Sequence, residues 1–200
     1  MEFLVTMTTS VPPGTSDETI ADVRQREAEN SKRLVAQRSL FRLWRPPLAP
    51  GEWRTLGLFA AANADELETV LASMPLRIWR TDEVEPLSPH PNDPALVGVG
   101  TGSEFLATMV VAVLDGTTEA AAQDRFGREA ERARELADQG HLRRLWALDA
   151  PVAVHRTLGL WNASDPAELG TIVEALPLHP WMTVATTELS PHPSDPARLA

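Results

Sequence analysis

The sequence predicts an α+β fold in which two ferredoxin-like repeats of order βαββαβ pack sheet to sheet within one chain. Glu2–Met7 (EFLVTM) recurs as Glu104–Met109 (EFLATM), and Leu87–Pro91 recurs as Leu189–Pro193. The offset is about 102 positions without a gap, and about 40 of about 95 aligned positions are identical, so a whole small domain is duplicated. A sheet with helices on only one face needs a cover, and a second identical sheet supplies it.

The first half of each copy predicts a strand, a long helix and a second strand. Phe3–Thr9 is apolar and rich in β-branched residues, which is typical of a strand. A Pro-Pro-Gly turn follows, and a helix is predicted from Asp17 to Arg38; its counterpart, Glu119–Gln139, ends before a glycine. Leu40–Arg45 is the next strand, and two prolines end it.

The second half of each copy predicts a strand, a short helix and a last strand. Trp53–Ala60 is the third strand and Trp79–Pro86 the fourth. The helix between them is predicted over Asn63–Ser73, with Asn63 as its N-cap and Asp165 in the same place in the second copy. Both copies therefore share the order βαββαβ.

The repeat boundaries predict the domain organisation. The first repeat covers residues 1–95, a linker covers 96–103, and the second repeat covers 104–200. The linker contains three glycines, but a phosphate-binding loop needs a following helix, and here a strand follows.

Composition narrows the classes of partner. The formal net charge is −10, which disfavours binding to the phosphate backbone of nucleic acids. There is no cysteine, so neither disulfides nor thiol chemistry are expected. No apolar run is long enough to span a membrane, and the N-terminus lacks a signal pattern. We expect a cytoplasmic protein with neither a nucleic-acid nor a membrane partner.

One glutamate in each copy is a candidate general base. Arg26–Glu29 (REAE) recurs unchanged as Arg128–Glu131, although the surrounding helix has diverged. Glu27 lies at helical spacing from Val23 and Leu34, on the apolar side. Burial raises the pKa of a carboxyl group, which suits proton transfer near neutral pH. A purely structural role is the alternative for Glu27 and for its counterpart, Glu129.

Two further repeated motifs are candidates for ligand binding. In Arg42-Leu43-Trp44, repeated as Arg144-Leu145-Trp146, the first and third residues share a strand face. The arginine could bind a carboxylate or stabilise an enolate, or it could form a salt bridge beside a core tryptophan. His90 and His192 lie in a Pro-rich arm after the last strand, where they could act as acid–base groups, close a pocket or serve packing. No spacing of His, Asp and Glu indicates a metal site.

Each copy resembles muconolactone Δ-isomerase, an enzyme of aromatic catabolism in the β-ketoadipate pathway. The resemblance covers nearly all of each copy and rests on an ordered set of segments: Met1–Met7, the helix with Glu27 and Glu29, Leu40–Arg45, Leu67, Met74–Leu76 and Leu87–Pro91. It implies an intrachain dimeric α/β barrel here, because family domains pair into barrels. It also implies exchanged C-terminal arms, further assembly into a homo-oligomer, and no metal or organic cofactor.

The resemblance also implies a reaction and its residues. The family shifts a ring double bond in an unsaturated γ-lactone by proton transfer, so Glu27 and Glu129 would be the bases. The small-molecule substrate would be bound by residues that include the repeated arginines, tryptophans and arm histidines: Arg26, Arg42, Trp44, Arg45, His90, Arg128, Arg144, Trp146 and His192. The alternatives are an isomerase or cyclase of natural-product intermediates, a cofactor-free oxygenase or dehalogenase, and a non-catalytic binding protein.

The two copies differ at several positions near these motifs. Arg45 is matched by Ala147, and Ser39, Trp53 and Arg77 are matched by histidines. A diverged pair can keep one active pocket beside a scaffold copy, or can build one asymmetric pocket for another substrate.

Overall fold

The computed structural model describes residues 1–96, 98–151 and 154–199. Val97 in the predicted linker, and Val152, Ala153 and Ala200 in the second repeat, lie outside the described residues. The elements of the first repeat are β1 (Glu2–Thr9), α1 (Asp17–Ala36), β2 (Leu40–Arg45), β3 (Arg54–Ala60), α2 (Ala64–Ala72), a 3-10 helix (Pro75–Trp79) and β4 (Arg80–Pro89). Those of the second are β5 (Ser103–Ala112), α3 (Glu119–Asp138), β6 (Leu142–Leu148), β7 (Val154–Ala163), α4 (Pro166–Glu174), a 3-10 helix (His179–Trp181), β8 (Met182–Pro191) and α5 (Pro196–Leu199).

The order βαββαβ predicted for each copy is confirmed, and so are two of the helix caps. Asn63 accepts a hydrogen bond from the backbone of Glu66, and Asp165 accepts two from the start of α4. The last strand differs from the prediction. It begins at Arg80 because Pro75–Trp79 forms a 3-10 turn, and it continues through Pro89 into the predicted arm.

The compact units of the chain differ from its repeats. One unit contains Met1–Leu87 together with the C-terminal residues from Ser190, and the other contains Ser88–Leu189. Each unit therefore joins the body of one repeat to the arm that follows the other repeat, as the resemblance implied. The boundaries at 95 and 104 remain a prediction about the repeats as independent domains.

Each unit is built on a four-stranded antiparallel sheet of order β4-β1-β3-β2, or β8-β5-β7-β6 in the second unit. The arm extends each sheet: Trp44 pairs with Pro191 in the first unit, and Trp146 pairs with Pro89 in the second. In β1, alternate residues from Phe3 to Thr9 are buried. They face the core that Leu34 of α1 and Leu71 of α2 complete, so the helices cover one face of the sheet.

Candidate active sites in the two units

Each unit contains a cavity between its long helix and its sheet. The cavity of the first unit, hereafter the first cavity, has a volume of about 260 Å³. Its lining comes from strands β1 to β4, helix α1, the 3-10 turn that precedes β4, and the arm that follows β8. The lining side chains that carry charge or a ring nitrogen are Arg24, Glu27, Arg45, Trp53, Arg80 and His192.

Glu27, predicted as the base, lies halfway along α1 and faces the first cavity. Its carboxylate is 13% exposed; Oε2 accepts a hydrogen bond of 2.9 Å from the backbone N–H of Leu76, and Oε1 lies 3.4 Å from Nη1 of Arg80. Burial raises the pKa of Glu27, while the Leu76 hydrogen bond and the charge of Arg80 oppose the rise. Glu29, in contrast, is exposed and bonded to Gln25, so helix α1 turns only Glu27 inward.

Arg80 is held beside Glu27 by a second carboxylate that sequence reasoning missed. Its guanidinium is buried, with Nε 2.6 Å from Oδ1 of Asp82 and Nη2 3.0 Å from Oδ2. Arg77 also contacts Asp82. The repeat singles out residues present in both copies, whereas Arg80 and Asp82 are matched by Met182 and Val184. Two opposite charges on one face of a strand were the signal that could have found them.

His192 reaches the first cavity from the arm. Its Nδ1 accepts a hydrogen bond of 3.1 Å from the backbone N–H of Ser194. Burial and the nearby Arg45 lower the pKa of His192 to about 4, against the opposing charge of Asp195. The ring is therefore neutral at pH 7 and carries its proton on Nε2, where it can donate to a ligand.

Two more cations line the first cavity. The guanidinium of Arg24 lies over the ring of Trp53, 4.3 Å from its centroid, which orients the side chain through a cation–π contact. Arg45 is exposed at the end of β2. Together with Arg80 these side chains make the first cavity suitable for an anion.

The cavity of the second unit, hereafter the second cavity, keeps the carboxylate but not the cations. It has a volume of about 200 Å³. Glu129 accepts a hydrogen bond of 2.9 Å from the backbone N–H of Leu178, the same contact that Glu27 makes with Leu76. Burial raises the pKa of Glu129, and this hydrogen bond opposes the rise. Among the described residues that line this cavity there is no arginine or lysine.

Two histidines are the ionisable neighbours of Glu129 in that lining. The Nδ1 of His90 accepts from the backbone N–H of Asn92 at 3.1 Å, so its neutral ring also presents Nε2–H. Burial lowers the pKa of His90, as does the nearby His155, while Asp93 raises it.

The second histidine belongs to an aromatic pair. The ring of His155 contacts Phe126 edge to face, with centroids 5.0 Å apart. These two residues occupy the positions of Trp53 and Arg24, so an aromatic pair replaces the cation–π pair of the first cavity.

Arg42 and Trp44, predicted to bind substrate, instead fasten the arm of the first unit. Arg42 donates to Asp195 through Nε at 3.1 Å and Nη2 at 3.0 Å, and the backbone N–H of Leu43 donates to the same carboxylate at 3.0 Å. Asp195 is fully buried, and the guanidinium also lies 4.7 Å from the ring centroid of Trp44. The alternative of a salt-bridged arginine beside a core tryptophan describes this arrangement.

The second unit repeats the fastening. Nη2 of Arg144 lies 3.2 Å from Oδ2 of Asp93, the backbone N–H of Leu145 donates to Asp93 at 2.9 Å, and the guanidinium lies 4.6 Å from the ring centroid of Trp146. We call each Arg–Asp pair with its backbone donor an arm latch. The arginine and aspartate of each latch are not among the described cavity-lining residues, whereas the backbone donors Leu43 and Leu145 are.

Arg26 and Arg128 lie on the solvent side of their helices. Each is exposed and pairs with an aspartate one turn earlier, Asp22 at 2.9 Å and Asp124 at 3.0 Å. Of the predicted binding residues, the structure thus brings Arg45, His90 and His192 to the cavities, and it places Arg26, Arg42, Trp44 and their counterparts elsewhere.

Metal clusters and membrane spans are both absent from the described part of the chain. Residues 1–96, 98–151 and 154–199 contain no group of three or more His, Asp or Glu side chains that could hold a metal ion. No helix in the same ranges is long and apolar enough to cross a membrane.

The fold places the chain in a class shared with several solved structures. A variant of chlorite dismutase from Candidatus Nitrospira defluvii matches with a TM-score of 0.60 and 9% identity, over 94% of this chain and 91% of that one. A heme-binding protein from Thermus thermophilus matches with a TM-score of 0.52 and 12% identity, over 94% and 92%. These likenesses concern the fold alone. The predicted class, α+β with ferredoxin-like repeats of the dimeric α/β barrel type, is confirmed.

The sequence places the chain within one family. The family model for muconolactone delta-isomerase matches residues 1–93 and again 103–195, so the chain belongs to this family as a tandem duplication. A solved muconolactone isomerase is 27% identical over 46% of this chain and 92% of its own, with a TM-score of 0.41. No curated protein sequence matches the chain significantly.

Proposed function

We propose that the protein is an isomerase that moves a double bond in a small unsaturated γ-lactone by proton transfer, with Glu27 as the base of the first cavity. The observation that carries the proposal is the setting of this carboxylate. The carboxylate is largely buried in a cavity of small-molecule size, and this burial raises its pKa. It accepts a hydrogen bond from the backbone of Leu76 and lies beside the guanidinium of Arg80.

The proposed reaction conserves all atoms. The Glu27 carboxylate removes a proton from the γ-carbon of a conjugated lactone, and the electron pair moves through the ring to the carbonyl oxygen, which gives a dienolate. The carboxylic acid so formed exchanges its proton with solvent and then protonates the α-carbon, so the double bond shifts from α,β to β,γ. A raised pKa suits both halves, because the group must accept one proton and then deliver one near neutral pH.

The charges around Glu27 support the choice of an anionic lactone. Arg24 and Arg45 line the first cavity and can bind a carboxylate on the lactone side chain. The neutral His192 offers Nε2–H to the dienolate oxygen, as a preorganised donor in a partly buried site. Further assembly into a homo-oligomer and a cytoplasmic location stay predictions.

Proton NMR in deuterated water, with muconolactone as substrate, tests the proposal. We expect the wild type to give the enol-lactone with deuterium at the α-carbon, and Glu27→Gln to lower the rate about 10²–10⁴-fold. Glu29→Gln is the matched control, because Glu29 lies two residues away on the exposed side of α1. An unchanged rate in Glu27→Gln would refute the assignment. Chloride release from a chlorinated lactone without isomerisation, or consumption of oxygen, would favour the dehalogenase or oxygenase alternative.

A further inference from the structure

The two cavities keep one carboxylate and one backbone contact, but arginines line only the first among the described residues. We infer that the second cavity has a different specificity: it binds a neutral, apolar lactone or a similar enolisable carbonyl compound that lacks the carboxylate suited to the first cavity. The reaction attributed to Glu129 rests on the proposed function, whereas the binding preference rests on the lining of the cavity alone.

The first difference between the two linings is their charge. Arg24, Arg45 and Arg80 of the first cavity are matched by Phe126, Ala147 and Met182. An anionic ligand in the second cavity would lie beside the Glu129 carboxylate without a lining cation to offset the repulsion and the loss of hydration. A neutral ligand meets neither cost.

The second difference is the polarity of the other lining residues. Thr9 and Ser31 of the first cavity are matched by Val111 and Ala133, and both replacements line the second cavity. With Phe126 in place of Arg24 and Met182 in place of Arg80, four polar lining positions have become apolar. Burial of apolar ligand surface is favoured in such a lining.

The polar groups that the second cavity keeps are suited to a neutral carbonyl compound. The lining keeps a few polar groups, among them Glu129 and the neutral ring of His90 with its Nε2–H. One donor for a carbonyl oxygen and one carboxylate that accepts a proton are what an enolisable neutral compound needs. The contact of Glu129 with Leu178 shows that the carboxylate is oriented as Glu27 is.

Binding of two saturated lactones, which cannot isomerise, separates the two cavities. The neutral probe is γ-valerolactone, and the anionic probe is the same ring with a carboxymethyl group in place of the methyl group. Calorimetry or ligand-observed NMR would compare two variants at equivalent lining positions, Ser31→Phe and Ala133→Phe, each of which fills one cavity.

We expect Ala133→Phe to weaken the neutral probe at least about tenfold more than the anionic one, and Ser31→Phe to do the opposite. Loss of both probes together in one variant, with neither affected in the other, would overturn the inference. Circular dichroism of both variants would confirm that each still folds.

A gain-of-function variant makes the test independent of cavity filling. Phe126→Arg with Ala147→Arg places in the second unit the two cations, Arg24 and Arg45, that line the first cavity and can bind a carboxylate. We expect this double variant to acquire a second site for the anionic probe and to bind the neutral probe about tenfold more weakly. If the wild type already binds the anionic probe at two equal sites, the inference is wrong.

These experiments distinguish failure of the isomerase proposal from failure of the proposed difference in specificity. If the probes divide between the cavities but muconolactone is not converted, the isomerase proposal fails and the difference in specificity stands. If muconolactone is converted through Glu27 but the probes do not divide, the isomerase proposal stands and the difference in specificity fails.

Discussion

The first and second cavities are two diverged copies of one site. Glu27 and Glu129 each accept a 2.9 Å hydrogen bond from the backbone of a leucine, so the duplicated fold has kept the position of the carboxylate. Around them, the Arg80–Asp82 pair has become Met182 and Val184. The comparison shows that the backbone holds this carboxylate in the same way in both units, whereas the side chains around it set the charge of the lining.

The largest effect is expected from substitution of the two proposed bases, Glu27 and Glu129. We expect Glu27→Gln to lower the turnover of muconolactone about 10²–10⁴-fold, because glutamine cannot accept the proton. With 5-methyl-2(5H)-furanone, the neutral analogue, we expect Glu129→Gln to have the larger effect. Deuterium incorporation measured by NMR for both variants and both lactones gives the four rates. Equal losses of both activities in each variant would contradict two distinct cavities.

The next effect concerns the arm latches. Asp195 is fully buried with Arg42, so Asp195→Ala should cost about 3–5 kcal/mol of the free energy of unfolding, because it leaves a buried guanidinium uncompensated. Asp93 and Arg144 are each 14% exposed, and Asp93→Ala should cost less, about 1.5–3 kcal/mol.

Urea unfolding followed by circular dichroism measures both changes. Asp65→Ala, on the exposed first turn of α2, is a suitable control substitution. A smaller loss in Asp195→Ala than in Asp93→Ala would show that burial of the latch does not set its contribution.

A third effect concerns how the free energy of unfolding depends on pH through His192. The folded-state pKa of His192 is about 4, below the ordinary value of 6.5, so the unfolded chain binds the proton more strongly. The stability that the neutral ring contributes is present above pH 6.5 and is lost as the pH falls from 6.5 to 4. His192→Gln should therefore lose less stability than the wild type over this range, as urea unfolding at several pH values would show.

The same measurement on His90 of the second unit provides a comparison with His192. The pKa of His90 is lowered in the same direction, so His90→Gln should change the pH dependence with the same sign and to a smaller extent. An identical pH dependence in the wild type and His192→Gln would contradict the neutral, buried ring that the proposed dienolate contact requires.

The smallest effect is expected outside both cavities. Arg26 and Arg128 are exposed and pair with aspartates at one-turn spacing, an interaction that stabilises a helix by about 0.3–0.5 kcal/mol. Arg26→Ala and Arg128→Ala should change stability by about that amount and leave the rate within about twofold. A loss of activity beyond tenfold in either variant would place these arginines back among the substrate-binding residues that the repeat had suggested.

Local and repeated information in the sequence was sufficient to predict the elements and the inward position of Glu27. The order βαββαβ and the caps at Asn63 and Asp165 follow from turn residues and from alternation of apolar residues, which act over a few positions. The repeat drew attention to the segment Arg26–Glu29, and helical spacing predicted that Glu27 is the residue of that segment that points inward. These features are determined by the chain near each residue.

Tertiary structure decided what distant segments do to one another. Arg42 and Asp195 are 153 positions apart, and their pairing depends on which arm joins which unit. Arg80 and Asp82 matter because β4 passes beneath α1, beside Glu27, and neither residue is present in the second copy. Periodicity in the sequence indicates only which side of an element is apolar. Which residues meet across a cavity depends on tertiary packing, because these residues are far apart in the sequence.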